Sequence, residues 1–130
     1  MSDYEVSQPI LNSPYDEPAE YWEIQDGKPP EKKTGRRPAG YYYRDPKAPS
    51  GDNERDSRGQ WVGLELVTKI RAQVKAWRES KPDPYPGTTR TTRELLQWWR
   101  REGRRHRLFF AQLEAAETVI FLIEARQDFL

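Results

Sequence analysis

The sequence predicts a mainly α chain, in which an extended and largely irregular arm is followed by about three helices. Two observations carry this. Residues 1–58 hold eight of the eleven prolines and four glycines, with no sustained period of 3.6 or 2. Residues 59–130, in contrast, repeat apolar side chains at helical spacing between recognisable start and stop signals.

In the arm, two apolar islands stand out: "ILNSPYDEPAEYW" at 10–22 and "AGYYY" at 39–43. The second has strand-like aromatics, and a short strand is expected near 39–43. It runs into "RDPKAPSGDNERDSRG", a polar linker with too little apolar surface to offset the entropy of ordering it.

The first helix is expected at about 61–80, because Leu66, Val67, Ile70, Val74 and Trp77 fall in one stripe at 100° per residue. "KPDPYPG" at 81–87 ends it, since proline lacks the amide donor and restricts the residue before it. The second is expected at about 91–102. Thr91-x-x-Glu94 has the capping-box pattern, Leu95, Leu96, Trp98 and Trp99 form the apolar face, and Gly103 is the stop. The third spans about 107–126, "RLFFAQLEAAETVIFLIEAR". With Phe109 at 0°, Leu113, Ala116, Ile120 and Ile123 lie within about 40° of it, while Phe121 and Leu122 project to the far side. Such a helix needs two contact surfaces.

Composition excludes several chemistries. The chain has no cysteine, so disulfides, thiolate metal sites and cysteine nucleophiles are out. A lone histidine, His106, excludes a multi-histidine metal site, and its arginine-rich setting reads as a solvated helix start rather than a catalytic base. Carboxylates are scattered without a spacing that argues for a paired acid and base. No GxxxxGK[ST] loop and no acidic magnesium cluster occur. No window approaches the ~18 apolar residues of a membrane span, and the N-terminus lacks a signal-peptide pattern. A soluble, cytoplasmic protein with no membrane partner is expected.

The net charge is +1, but bases concentrate in the second half. Between positions 90 and 107 seven arginines face only Glu94 and Glu102, with two tryptophans interleaved. Arg100, Arg101, Arg104 and Arg105 with Trp98 and Trp99 have the character of a nucleic-acid surface, phosphate contact plus base stacking. The same residues also suit a helix C-terminus whose dipole is met by arginines and whose tryptophans fill a core.

Five runs together resemble the N-terminal segment of the helicase and endonuclease subunit of type III-like restriction enzymes, within the DEAD/DEAH-box helicase superfamily 2. They are "PILNSPYDEP" at 9–18, "GRRPAGYYY" at 35–43, "IRAQVKAWR" at 70–78, "YPGTTRTTRELLQWWR" at 85–100 and "RLFFAQLEAAETVIFLIEA" at 107–125. The resemblance implies that Phe109-Phe110-x-Gln112-x-Glu114-Ala115 is an adenine-recognition element for ATP, with Gln112 reading the base and Phe109 or Phe110 as its apolar platform. A glutamine amide has one acceptor and two donors and can pair bidentately with adenine. Spacing alone also allows Gln112 to sit at the edge of a core stripe, bonded to a neighbouring carbonyl.

The resemblance further implies an incomplete part of a larger α/β helicase domain. Its partners would be DNA, the remainder of the helicase and nuclease subunit, and a DNA methyltransferase subunit. ATP and magnesium would act in the intact parent, whereas this chain, lacking the phosphate-binding loop, magnesium motif, second motor domain and nuclease, is expected to be inactive alone and to bind no cofactor tightly. The competing expectation is a small nucleic-acid-binding or accessory protein that uses the arginine and tryptophan patch.

Overall fold

The structure is a computed structural model that describes residues 5–25, 27–44, 46 and 59–125. It corrects the expectation of a mainly α chain. Of the described residues about 36% are helical and 15% lie in strands, and the arm carries most of the strand structure. The elements run β1 Glu20–Glu23, β2 Glu31–Thr34, β3 Gly40–Tyr43, β4 Gln60–Gly63, α1 Glu65–Arg78, α2 Arg90–Trp99 and α3 Phe110–Glu124. Two compact units result: residues 1–12 with 18–68, and residues 13–17 with 69–130.

In the first unit β1 and β2 pair antiparallel, Glu20 opposite Thr34 and Trp22 opposite Lys32. Neither strand alternates apolar and polar residues, which is why the hydrophobic pattern gives no sign of them. Cross-strand pairs hold them instead. Lys32 sits 3.8 Å from Glu20 and Lys33 3.5 Å from Glu23, and the Lys32 ammonium lies 5.9 Å from the centre of the Trp22 ring. Asn12 anchors the entry to β1. Its amide donates to Glu20 O at 2.8 Å, and its side-chain oxygen accepts from the Ala19 amide at 3.0 Å.

β3 pairs antiparallel with β4, setting Tyr42 opposite Trp61 and Tyr41 opposite Val62. The Tyr42 and Trp61 rings meet edge to face at 5.1 Å. Gly40 is required here, because a Cβ at this position would run into the Trp61 ring. Trp61 therefore belongs to a strand, not to the first helix, and the helix begins only after Gly63 and Leu64. The physical reason is local: glycine is a poor helix former, and the β-branched and aromatic pair before it finds cross-strand partners. Most of the expected polar linker lies outside the described residues.

The core of the second unit is Val74, Trp77, Tyr85, Leu96 and Phe121, with Ile70, Trp99, Ile120 and Ala125 packed against it. Trp77 is its hub, 4.7 Å from the Tyr85 ring and 5.3 Å from the Phe121 ring, both inclined. Its indole N–H donates to Pro86 O at 2.8 Å, so the proline-rich turn satisfies the polar end of a buried indole. Leu66 and Val67, counted in the expected stripe, are 59% and 37% exposed.

α2 begins at Arg90, its cap two positions before the Thr91 of the capping-box pattern. Thr89 is the cap, its hydroxyl accepting from the Thr92 amide at 3.2 Å. In α3 the buried residues are Phe110, Glu117 and Phe121. The stripe through Phe109 is thus not the buried face: Phe109 is 45% and Ile123 77% exposed. Among the described residues no helix is long and apolar enough to cross a membrane.

Candidate functional site

The polar centre of the second unit is Glu117, which is fully buried on α3. Arg78, at the end of α1, forks onto it: Nε lies 2.9 Å from each carboxylate oxygen and a terminal nitrogen 2.7 Å from Oε1. Tyr85 completes the set by donating its hydroxyl proton to Oε2 at 2.7 Å, and the Tyr85 oxygen accepts from Arg100 at 2.8 Å. Every contact to the carboxylate is a charge-assisted hydrogen bond, which makes burial tolerable.

Burial opposes the charge on Arg78, but the Glu117 hydrogen bonds and negative charge outweigh it and raise the guanidinium pKa further. For Tyr85, burial first and the Glu117 carboxylate second push the phenol well above its ordinary value, with Arg100 opposing. Tyr85 is a neutral donor at physiological pH. It also adopts a positive φ of 57°, a conformation uncommon for a bulky residue and here held by packing on Trp77 and by its hydroxyl partners.

Around this centre lie the residues singled out in the sequence. Phe110 is buried, with its ring 5.2 Å from the Arg78 guanidinium carbon. Phe109 faces outward and meets Tyr15 at 5.4 Å between ring centres. Tyr15 is brought there by the segment 13–17, whose Pro14 carbonyl accepts from the Phe110 amide at 2.8 Å. Arg107 lies 5.1 Å from the Tyr15 ring centre. Gln112 is exposed in the first turn of α3, with Oε1 accepting from the Phe109 amide at 3.0 Å. Its oxygen retains a second lone pair and its amide nitrogen both donors. The structure thus brings Phe109 and Gln112 together on one surface and adds Tyr15 and Arg107, while Phe110 points into the core.

The arginine run is divided among several tasks. Arg100 reaches Tyr85. Arg101 lies over Trp98 at 3.7 Å and donates to Trp98 O at 2.7 Å. Arg104 donates to Trp99 O at 3.1 Å. These two contacts satisfy carbonyls at the end of α2, as arginines at a helix C-terminus do. Arg105 is exposed, Trp98 is 60% exposed, and Trp99 packs on the core. The Arg93 Nε is buried without a hydrogen-bond partner, and nothing in the structure explains it.

No family model, curated protein or solved structure matches the chain. The site is therefore read from its chemistry. Among the described residues no three His, Asp or Glu side chains gather as metal ligands. What the surface offers is an amide with free donor and acceptor capacity beside two exposed aromatic rings and a guanidinium, a set that fits a purine base.

Sequence reasoning missed Glu117, Arg78 and Tyr85, and did not connect Tyr15 to α3. One signal was available for Glu117. It stands about 20° from Phe110 and about 40° from Phe121 around the helix, and a carboxylate on an aromatic face requires a buried cation.

Proposed function

We propose that the chain is the adenine-recognition segment of an ATP-dependent DNA helicase or translocase subunit of the type III-like restriction class. The observation that carries the proposal is the exposed amide of Gln112 beside the Phe109 and Tyr15 rings. Adenine would stack on the aromatic pair while its amino group and ring nitrogen meet the glutamine oxygen and nitrogen. Gln112 would hold the base, Phe109 would be its platform, and Phe110 would support the turn from below.

These 130 residues contain no GxxxxGK[ST] phosphate-binding loop and no acidic magnesium motif in their sequence. Hydrolysis and DNA movement would need the remainder of such a subunit, with a methyltransferase subunit as a further partner in the cytoplasm. By itself the chain would bind adenine weakly and hydrolyse nothing.

The test is a titration of the full chain with adenosine, followed by the side-chain amide signals of glutamine. The Gln112 amide is expected to move with adenosine and not with guanosine, whose six-position carbonyl cannot donate, and Gln112→Ala is expected to abolish the response of the neighbouring rings. A silent Gln112 amide, or an equal response to guanosine, overturns the reading. At the level of the gene, translation beyond codon 130 in the three forward frames is expected to give a Gly-x-Gly-Lys-Thr-like loop followed by an acidic motif; finding neither overturns the parentage.

A second reading, a small nucleic-acid-binding or accessory protein, is favoured by one observation, the 60% exposure of Trp98 beneath the Arg101 guanidinium. It requires salt-sensitive DNA binding by the chain, lost when Arg100, Arg101, Arg104 and Arg105 are neutralised together and weakened by Trp98→Ala. The engagement of Arg101 and Arg104 with the carbonyls that end α2 favours the first reading.

A further inference from the structure

The second unit also contains a cavity of about 260 Å³ whose lining includes Tyr15, Arg78, Trp99, Arg100, Arg107 and Phe110. Its three guanidinium groups are unequally committed. Arg78 spends its charge on Glu117 in a two-pronged contact. Arg107 is 3.7 Å from Asp16, a contact in which both side chains are more than half exposed and which a stronger anion could replace. Arg100 donates to the neutral hydroxyl of Tyr85, and among the described residues no carboxylate lies within ion-pair distance of it. Glu17, another lining residue, is held by Lys75 at 3.1 Å. With Glu114 also 3.8 Å from Arg78 the charges around the cavity balance, yet Arg100 is left with a neutral hydroxyl as its partner and Arg107 is only loosely bound, both between aromatic walls.

Guanidinium groups with free N–H edges recognise phosphate, and the flat rings of Tyr15, Trp99 and Phe110 suit a sugar or base face. We propose that this cavity binds the phosphate group of a nucleotide, with Arg100 and Arg107 as its ligands. The buried Tyr85 and Glu117 pair orients Arg100 from behind and leaves its remaining donors for the ligand. The inference goes beyond the adenine reading, because it requires a phosphate and makes no demand on Gln112.

The experiment is a binding titration of the full chain with inorganic phosphate, ribose 5-phosphate, AMP and adenosine, read by calorimetry and by the arginine Nε–H resonances. The phosphate-bearing ligands are expected to bind and to move the Arg100 and Arg107 signals, whereas adenosine leaves these signals in place. Arg100→Gln is expected to weaken AMP about tenfold, the loss of one charge-assisted contact, with partial recovery in Arg100→Lys. Lys69→Gln, an exposed position outside the cavity lining, is expected to leave affinity unchanged, and near-ultraviolet circular dichroism would report whether each variant keeps its aromatic packing. Should Lys69→Gln weaken binding as much as Arg100→Gln, or adenosine match AMP, the cavity assignment falls. Ribose 5-phosphate binding that depends on Arg100 sustains it even if the Gln112 amide never responds to adenosine. A Gln112 response to adenosine with the Arg100 signal unmoved by any phosphate ligand overturns it while leaving the adenine reading intact.

Discussion

Replacing Glu117 by glutamine keeps the side chain's shape and removes its charge, and so tests what the buried centre contributes. In the wild-type chain the carboxylate receives three contacts from Arg78 and one from Tyr85. The amide offers one oxygen to those donors and turns two N–H bonds toward them. Arg78, only 8% exposed, would be left with Glu114, which is 3.8 Å away. Removing one partner of a buried ion pair costs about 3–5 kcal/mol, because the remaining charge stays desolvated. Stability of a small domain is about 5–15 kcal/mol, so the substitution would consume a large share. Urea unfolding followed by tryptophan emission reads this directly, since Trp77 lies in the same core. Arg78→Met, Glu117→Leu and Tyr85→Phe combined would remove the buried bonded triad, leaving Glu114 and the exposed Arg100 to water, and should restore much of the lost stability. A loss below about 1 kcal/mol for Glu117→Gln, or a triple variant no more stable than the single one, would refute the account of a desolvated cation.

Two further predictions follow from particular contacts. Since the folded-state pKa of Tyr85 is raised, the stability it provides is fully present below the ordinary phenol value of about 10 and is lost as pH rises above it. Tyr85→Phe should flatten that alkaline decline in urea midpoints; a decline of the same steepness in the variant would show that another group causes it. Thr89→Ala should cost about 1 kcal/mol through loss of the α2 cap, whereas exposed Thr91→Ala should change stability by less than about 0.5 kcal/mol. The reverse order in thermal melts would return the cap to Thr91.

The three helices were legible because each has an apolar period and punctuation that is local in the chain. Their faces were less so. In α3 both sides are apolar, and angular bookkeeping alone cannot say which is covered. The choice is made by Glu117, whose partners Arg78 and Tyr85 lie 39 and 32 residues away. Burial of that carboxylate turns Phe110 and Phe121 inward and leaves Phe109, Val119 and Ile123 toward solvent. Of the arm's strands, β3 at Gly40–Tyr43 was legible from its aromatics, whereas β1 and β2 escaped notice because they are stabilised by Glu–Lys contacts that exist only once the strands are paired. Trp61 was drawn into the first helix by composition, although its cross-strand partner, Tyr42, was nineteen positions back.

For the candidate site, the sequence by itself determined the chemistry that the chain carries: an amide and two phenylalanines at the start of a helix, an arginine-rich stretch, and no cysteine or histidine cluster. It also placed apolar residues on both sides of α3, a helix of fixed pitch. Only the tertiary structure decided which of the two phenylalanines faces outward, that Tyr15 joins it, and that Arg100 meets a neutral hydroxyl and not a carboxylate. Periodicity is a property of neighbours along the chain and can be read from order alone. The partner of a buried charge is set by packing between distant segments, where desolvation rewards one arrangement and penalises the rest.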